Sequence, residues 1–157
     1  MKDEILLNSN DASRDRDLEA LHTLSAEISH NLGCIATETN QPEAALHHFQ
    51  LFNTIMIEFA EGKPQKKDRR LAVSWNELGN AHMMKGDWNK GEQCFKHSMA
   101  ALKELDSFVP VDLSFPIINL GFSYWLQVRF EEADETLHQI LAIREAEYGI
   151  NDRESFM

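Results

Sequence analysis

The residues with the greatest capacity for chemistry are two cysteines, two adjacent histidines and a cluster of carboxylates. Cys34 and Cys94 lie far apart and lack a CxxC partner, so they are predicted to be reduced thiols. No Lys or Arg near Cys34 in the sequence could activate it, which favours a small packing residue. His47 and His48 would point to different sides of one helix and could not easily chelate one ion. The carboxylates at 131–135 are typical of a solvated helix face.

Recognisable catalytic motifs do not occur in the sequence. It has neither a Gly-rich phosphate loop nor a His-Glu-x-x-His pattern. We therefore predict a non-enzymatic protein with no catalytic residues, no metal site and no cofactor.

The composition indicates one mostly helical domain. The chain has 157 residues, 43% hydrophobic and 26% charged, and its 7 Gly and 4 Pro are too few for many short strands. A net charge of -11 repels phosphate backbones and argues against nucleic acid as a partner. No apolar stretch is long enough for a membrane span, and the N-terminus has too few apolar residues for a signal peptide. We predict a cytoplasmic protein without membrane attachment.

Apolar residues recur every three or four positions, which is the helical period. The pattern predicts six helices, near 18–39, 43–60, 69–85, 88–105, 113–127 and 130–148. Pro42 suits a first helical turn, and Gly86 and Gly149 suit helix ends. Pro116 is tolerated only if its helix begins within the preceding turn, where its missing N–H costs nothing.

Polar segments separate these predicted helices. Residues 8–17 are polar, and we expect residues 1–17 to form a flexible N-terminal arm. The basic run at 63–70 follows Gly62 and is predicted to be a solvated linker loop, with a site for an acidic partner as the alternative. Residues 149–157 are predicted to be a tail or the start of a fourth repeat.

Three glycines mark an internal repeat. Gly33, Gly79 and Gly121 each follow a leucine, and they are 46 and 42 residues apart. Each is followed by a small residue after twelve positions and a large apolar one four further on: Ala45 and Phe49, Gly91 and Phe95, Ala133 and Leu137. Glycine inside a helix costs about 1 kcal/mol, so we expect a neighbouring helix to approach closely there. Leu32, Trp75, Leu78 and Leu120 are predicted to fill the space between helices.

The second copy resembles a tetratricopeptide repeat. Its Trp75, Leu78-Gly79, Gly86-Asp87 and Phe95 follow that family's signature in order and spacing. The 42-residue spacing and the ending at 143–149 are similar to the longer repeats of kinesin light chains and of fungal and bacterial signalling NTPases. This resemblance implies an all-α superhelix of three hairpins, at about 18–62, 69–106 and 113–148.

In this family the first helices of the hairpins line a concave groove that binds protein or peptide ligands. The resemblance places these residues in the groove: His30, Asn31, Asn76, Glu77, Asn80, Met83, Asn119, Phe122 and Trp125. Asn31 and Asn119 occupy equivalent positions that form an asparagine ladder in some members, and Glu77 interrupts it. The alternative is that each asparagine satisfies only a helix end or water.

The aromatic pair Phe122 and Trp125 has two interpretations. It is either an anchor site in the groove or a surface that packs beneath a fourth repeat. A clamp for a C-terminal carboxylate is not expected, because residues 20–40 and 113–128 contain no Lys or Arg and Glu77 adds a negative charge.

We therefore predict a protein-interaction module that binds a peptide or helix in its groove. The alternative is a segment of a larger signalling NTPase or scaffold that acts by intramolecular docking or self-association. Ile140, Leu141 and Ile143 are expected not to be covered completely at the C-terminal end of the array, where a homodimer could form.

Overall fold

The computed structural model describes residues 2–149, with side chains from residue 13 onward. Its elements are α1 (Lys2–Glu38), α2 (Pro42–Gly62), α3 (Arg69–Met84), α4 (Trp88–Lys103), a 3-10 turn (Pro110–Leu113), α5 (Ser114–Leu126) and α6 (Phe130–Tyr148). Consecutive helices pack on one another, so the helices form three stacked hairpins, α1–α2, α3–α4 and α5–α6. The predicted all-α array is confirmed.

The helix ends follow from local chemistry. Pro42 is the first residue of α2, and Asp68 caps α3 by accepting a hydrogen bond from the Arg70 amide at 2.9 Å. Gly86 ends the turn after α3 with a φ of 78°, a conformation that glycine adopts without strain. Pro116 is the third residue of α5, which confirms that its helix begins within the preceding turn.

The first helix is longer than predicted. It begins at Lys2, so the predicted helix start near residue 18 is wrong, and the flexibility expected of residues 1–17 stays a prediction. The physical reason is that residues 2–32 contain no Gly or Pro, and polar residues alone do not end a helix. Except for Gly149, the predicted tail at 149–157 lies outside the described residues.

The repeat glycines lie at close helix crossings, as predicted. A Cβ added to Gly33 would lie 2.5 Å from the Phe49 ring, and one added to Gly79 would lie 2.5 Å from the Phe95 ring. The third hairpin differs, because Gly121 faces Thr136 at 3.3 Å, and Leu137 is exposed. Leu137 therefore shares the repeat position of Phe49 and Phe95 without sharing their burial.

Junctions between hairpins combine apolar packing with buried hydrogen bonds. Phe95 of α4 packs with Leu120 and Tyr124 of α5. Between α2 and α3, Asn53 donates to the Ser74 hydroxyl at 3.0 Å. These contacts fix how one hairpin sits on the next, since a buried polar group that loses its partner costs free energy.

One apolar prediction is wrong and another is confirmed. Leu32 does not fill the space between helices but is exposed on α1. Of the three C-terminal residues, Ile140 is buried in a cluster that contains Leu113 and Ile117, and Ile143 is half-buried against it. Leu141 is exposed, so these three residues are not all covered, as predicted.

The basic run at 63–70 makes intramolecular ion pairs with three other parts of the chain. Its pairs are Lys63 and Lys66 with Glu19, Lys67 with Glu104, Arg69 with Asp112, and Arg70 with Asp68. Hydrogen bonds from Lys63 and Lys66 lower the pKa of Glu19 to about 2. Residues 63–68 form a largely exposed loop between α2 and α3, as predicted, and the ion pairs of the run also connect α1 and the 3-10 turn to the second hairpin.

Glu92 of α4 lies at the centre of a network that joins the second and third hairpins. Its carboxylate accepts hydrogen bonds from Lys96 at 2.6 Å and from Arg129 at 2.7 Å. The Arg129 guanidinium lies 4.2 Å from the centre of the Tyr124 ring. Burial raises the pKa of Glu92, but the hydrogen bonds from the two cations outweigh burial, so this pKa is lower than usual.

We expect Glu92→Gln to reduce the free energy of unfolding by about 1 kcal/mol near neutral pH. The pKa of Glu92 is lower in the folded chain than in the unfolded chain. Its contribution to the free energy of unfolding is therefore fully present above its unfolded pKa of about 4.3, and it is lost as the pH falls through its folded pKa. Denaturant unfolding at about pH 6 and about pH 3 should show the gap between Glu92→Gln and the unchanged chain closing in acid. Glu135→Gln is the control, since it changes the net charge equally at an exposed position of α6. A gap that does not depend on pH would contradict the expectation.

Candidate functional site

The candidate site is the groove between α3 and α5, the first helices of the second and third hairpins. The two helices touch, and Asn119 Nδ2 donates a hydrogen bond to Asn76 Oδ1 at 3.0 Å. One polar atom of each predicted groove residue is therefore paired with the other residue, and the two side chains together form a ridge across the groove. Each side chain retains further hydrogen-bonding capacity for a ligand, because an amide can both donate and accept.

Glu77 gives the groove a negative charge next to this ridge. Its carboxylate accepts hydrogen bonds from Asn80 at 3.3 Å and from the neighbouring Asn76 at 3.4 Å. Glu77 thus interrupts the asparagine ladder but holds the asparagines on either side of it. Arg69, the nearby cation, is paired with Asp112 through two hydrogen bonds.

Two cavities lie on either side of the ridge. The first, which we call the Val73 pocket, has a volume of about 360 Å³ and is lined by Ala72, Val73, Asn76, Glu77, Asp112, Phe115 and Pro116 among others. The second, the Met83 pocket, has a volume of about 380 Å³ and is lined by Asn80, Met83, Met84, Trp88, Phe95, Asn119, Phe122 and Leu126. Mostly apolar walls with a few amide groups are typical of sites that take an apolar side chain and orient the backbone beside it.

The structure separates the roles of the two predicted aromatic anchors. Phe122 and Trp125 stack on each other, with ring centres 6.0 Å apart, and both are exposed. Phe122 lines the Met83 pocket, whereas Trp125 does not. In the repeat register Trp125 corresponds to Met83, which lines the Met83 pocket and also packs against the cluster that contains Leu120 of the following hairpin. Phe122 therefore lines the groove, whereas Trp125 lies outside the Met83 pocket at a position that contacts a hairpin junction one repeat earlier.

The first hairpin reaches the groove through Cys34. Asn31 is exposed on α1. The His30 ring packs against Phe52, with centres 5.1 Å apart, and lies 3.6 Å from the Cys34 sulfur. Cys34 in turn is close enough to Glu77 of α3 for that carboxylate to raise the pKa of the thiol. The placement of His30 and Asn31 in the groove stays a prediction.

Neither cysteine is activated. Burial and the negative charges of Glu77 and Glu38 raise the pKa of the Cys34 thiol. Burial raises the pKa of the Cys94 thiol to about 11. Both side chains are unpaired thiols that stay protonated near neutral pH and are weak nucleophiles. The described part of the chain also contains no group of three His, Cys, Asp or Glu side chains that could hold a metal ion.

Val73 and Phe115 also belong to the groove, although the sequence did not predict them there. They occupy equivalent positions one repeat apart and line the Val73 pocket together. Phe115 is 76% exposed, the largest exposure among the large apolar side chains described. The sequence could have indicated Phe115, because it lies four residues before Asn119 and therefore one helical turn away on the same face.

Comparisons with known proteins support the same fold. Residues 117–154 match the tetratricopeptide repeat family, and this segment covers most of the third hairpin. No curated protein matches the sequence as a relative. None of the helices in the described part of the chain has the length and hydropathy needed to cross a bilayer.

Two solved structures share the fold of most of this chain. BtubC (BKLC) from P. vanneervenii has a TM-score of 0.68 and 24% identity over 82% of this chain. A putative kinesin light chain from Podosopora anserina with nearly identical TPR-like repeats has a TM-score of 0.65 and 16% identity, also over 82%. The matches cover 50% and 59% of those chains, so this chain spans less than two thirds of either. The predicted resemblance to tetratricopeptide repeats of the kinesin light chain type is confirmed, and repeats of this kind generally mediate protein–protein interaction.

Proposed function

We propose that this chain is a non-enzymatic interaction module that binds a segment of a partner protein along the groove between α3 and α5. The observation that carries the proposal is the pair of similar cavities on either side of the Asn76–Asn119 ridge. A segment crossing the ridge would place one apolar side chain in each cavity. The asparagine amides would bind its backbone, which gives affinity without specifying a sequence.

The charge of the groove defines the chemistry of the partner. Glu77 lines the Val73 pocket, and Arg69 at its edge is already paired with Asp112. A neutral or basic segment with two apolar anchors fits this surface, whereas an acidic segment or a free C-terminal carboxylate would be repelled.

Peptide selection tests the proposal. A library of random peptides displayed on phage should yield neutral or lysine-containing and arginine-containing sequences with two apolar residues. A synthetic copy of a selected basic peptide is then titrated into the protein by calorimetry. Glu77→Gln should weaken its binding by about threefold to fivefold, the effect of one partly exposed charge pair. Glu135→Gln, outside the groove on α6, should have no effect.

Two results would overturn the proposal. One is selection of acidic peptides, because the groove would then attract the wrong charge. The other is peptide binding that is unchanged in Glu77→Gln and Phe122→Ala, which would place the ligand outside the groove.

A further inference from the structure

The two ends of the array expose apolar side chains. One side of α1 carries six leucine and isoleucine side chains that are 41% to 59% exposed: Leu18, Leu21, Leu24, Ile28, Leu32 and Ile35. We call this surface the head face. At the other end, Trp125 of α5 and Leu137 and Leu141 of α6 are exposed and form what we call the tail face. Contiguous exposed apolar surface of this kind marks an interaction site.

The repeat register shows what the head face is built to contact. Ile28, Leu32 and Ile35 correspond to Ser74, Leu78 and Ala81 of α3 and to Pro116, Leu120 and Ser123 of α5. All six of those residues are buried. Leu78 and Ala81 belong to the cluster with Phe49 and Met56 of α2, and Leu120 packs with Phe95 of α4. The C-terminal half of the head face, from Ile28 to Ile35, is therefore the first-helix side of a hairpin junction.

The tail face is the other side of the same junction. Leu137 and Leu141 correspond to Phe95 and Met99 of α4, which pack against the cluster that contains Leu120 of the next hairpin. Trp125 corresponds to Met83, which packs against that cluster as well. The positions that hold the second hairpin to the third thus recur, exposed and apolar, at the end of the third hairpin.

We propose that two copies of this chain associate head to tail, with the tail face of one copy packed on the head face of the other. The contact would repeat the α2–α3 and α4–α5 junctions between molecules. Because the two faces differ, such a contact leaves one head and one tail free and produces longer assemblies or closed rings. Each copy has a net charge of -11, so the association should strengthen when salt screens the repulsion.

Complementary variants test this arrangement. Leu32→Glu blocks the head face and Leu141→Glu blocks the tail face, and both residues are exposed in the single chain, so the fold should survive. Sedimentation velocity should show that the mass of the unchanged chain rises with concentration, while each variant alone loses more than roughly tenfold in association constant. An equal mixture of the two variants should restore association but stop at one copy of each. Leu51→Glu, at an exposed position of α2 outside both faces, is the matched control and should associate like the unchanged chain.

Three outcomes overturn the proposal. The first is an unchanged chain that stays monomeric at high concentration and high salt, as it would if another segment covered either face. The second is a Leu141→Glu variant that still associates by itself, which would indicate symmetric pairing of α1 with α1. The third is failure of the mixed variants to form a heterodimer although circular dichroism shows both to be folded.

Discussion

Gly79→Leu is expected to reduce the free energy of unfolding by about 3 kcal/mol, the upper part of the range for overpacking. Even the Cβ would lie 2.5 Å from the Phe95 ring, and Phe95 is fully buried. The ring cannot move aside without disturbing Leu120 and Tyr124 of the next hairpin. Leucine gains about 1 kcal/mol in helix propensity over glycine, which offsets part of the clash and does not cancel it.

A series of glycine-to-alanine variants supplies the controls for that expectation. Gly33→Ala and Gly79→Ala should both destabilise, because each faces a buried phenylalanine ring. Gly121→Ala should cost less, since its nearest neighbour is a Thr136 methyl at 3.3 Å. A Cβ added to Gly62 has no other atom within 4 Å, so Gly62→Ala should be neutral or slightly stabilising. Thermal melts and denaturant unfolding that fail to rank the sites in this order would remove the close-crossing explanation.

Phe122→Ala is expected to weaken binding of a peptide selected on the unchanged protein by about 2 kcal/mol, which is about 30-fold in Kd. The reason is that Phe122 forms a wall of the Met83 pocket, where an apolar side chain of the ligand would be buried. Truncation leaves a wider, wetter cavity and removes an aromatic contact. Calorimetry with the same peptide measures the change directly.

Trp125→Ala is the matched comparison, because Trp125 stacks on Phe122 and is equally exposed but lies outside the Met83 pocket. We expect it to change peptide affinity by less than about threefold and to weaken self-association instead. A larger loss of peptide binding in Trp125→Ala than in Phe122→Ala would reverse the assignment and make Trp125 the anchor in the groove.

The sequence predicted the local structure well, for a physical reason. Helical periodicity and the repeat glycines depend on residues a few positions apart, or on one contact that recurs in each hairpin. The glycine crossings at Gly33 and Gly79 and the position of Pro116 in α5 were therefore predictable. The start of α1 was not, because polarity at 8–17 suggested disorder although no residue there ends a helix.

The contents of the groove were predicted only in part. Asn76, Glu77 and Asn119 could be placed there from the repeat, but their hydrogen bonds to one another could not be predicted. Phe122 and Trp125 looked alike in the sequence because they are three residues apart on one helix. Only the tertiary structure distinguishes them, because Phe122 lines the Met83 pocket and Trp125 does not.

By itself the sequence determined that this protein consists of three stacked hairpins, since local periodicity and a recurring glycine contact specify each hairpin without reference to the others. The tertiary structure alone decided which surfaces remain open. The ion pairs of the run at 63–70, the two pockets and the exposed head face on α1 all depend on how hairpins are placed relative to each other. That placement arises from contacts between side chains tens of residues apart, which the helical period of the sequence does not specify.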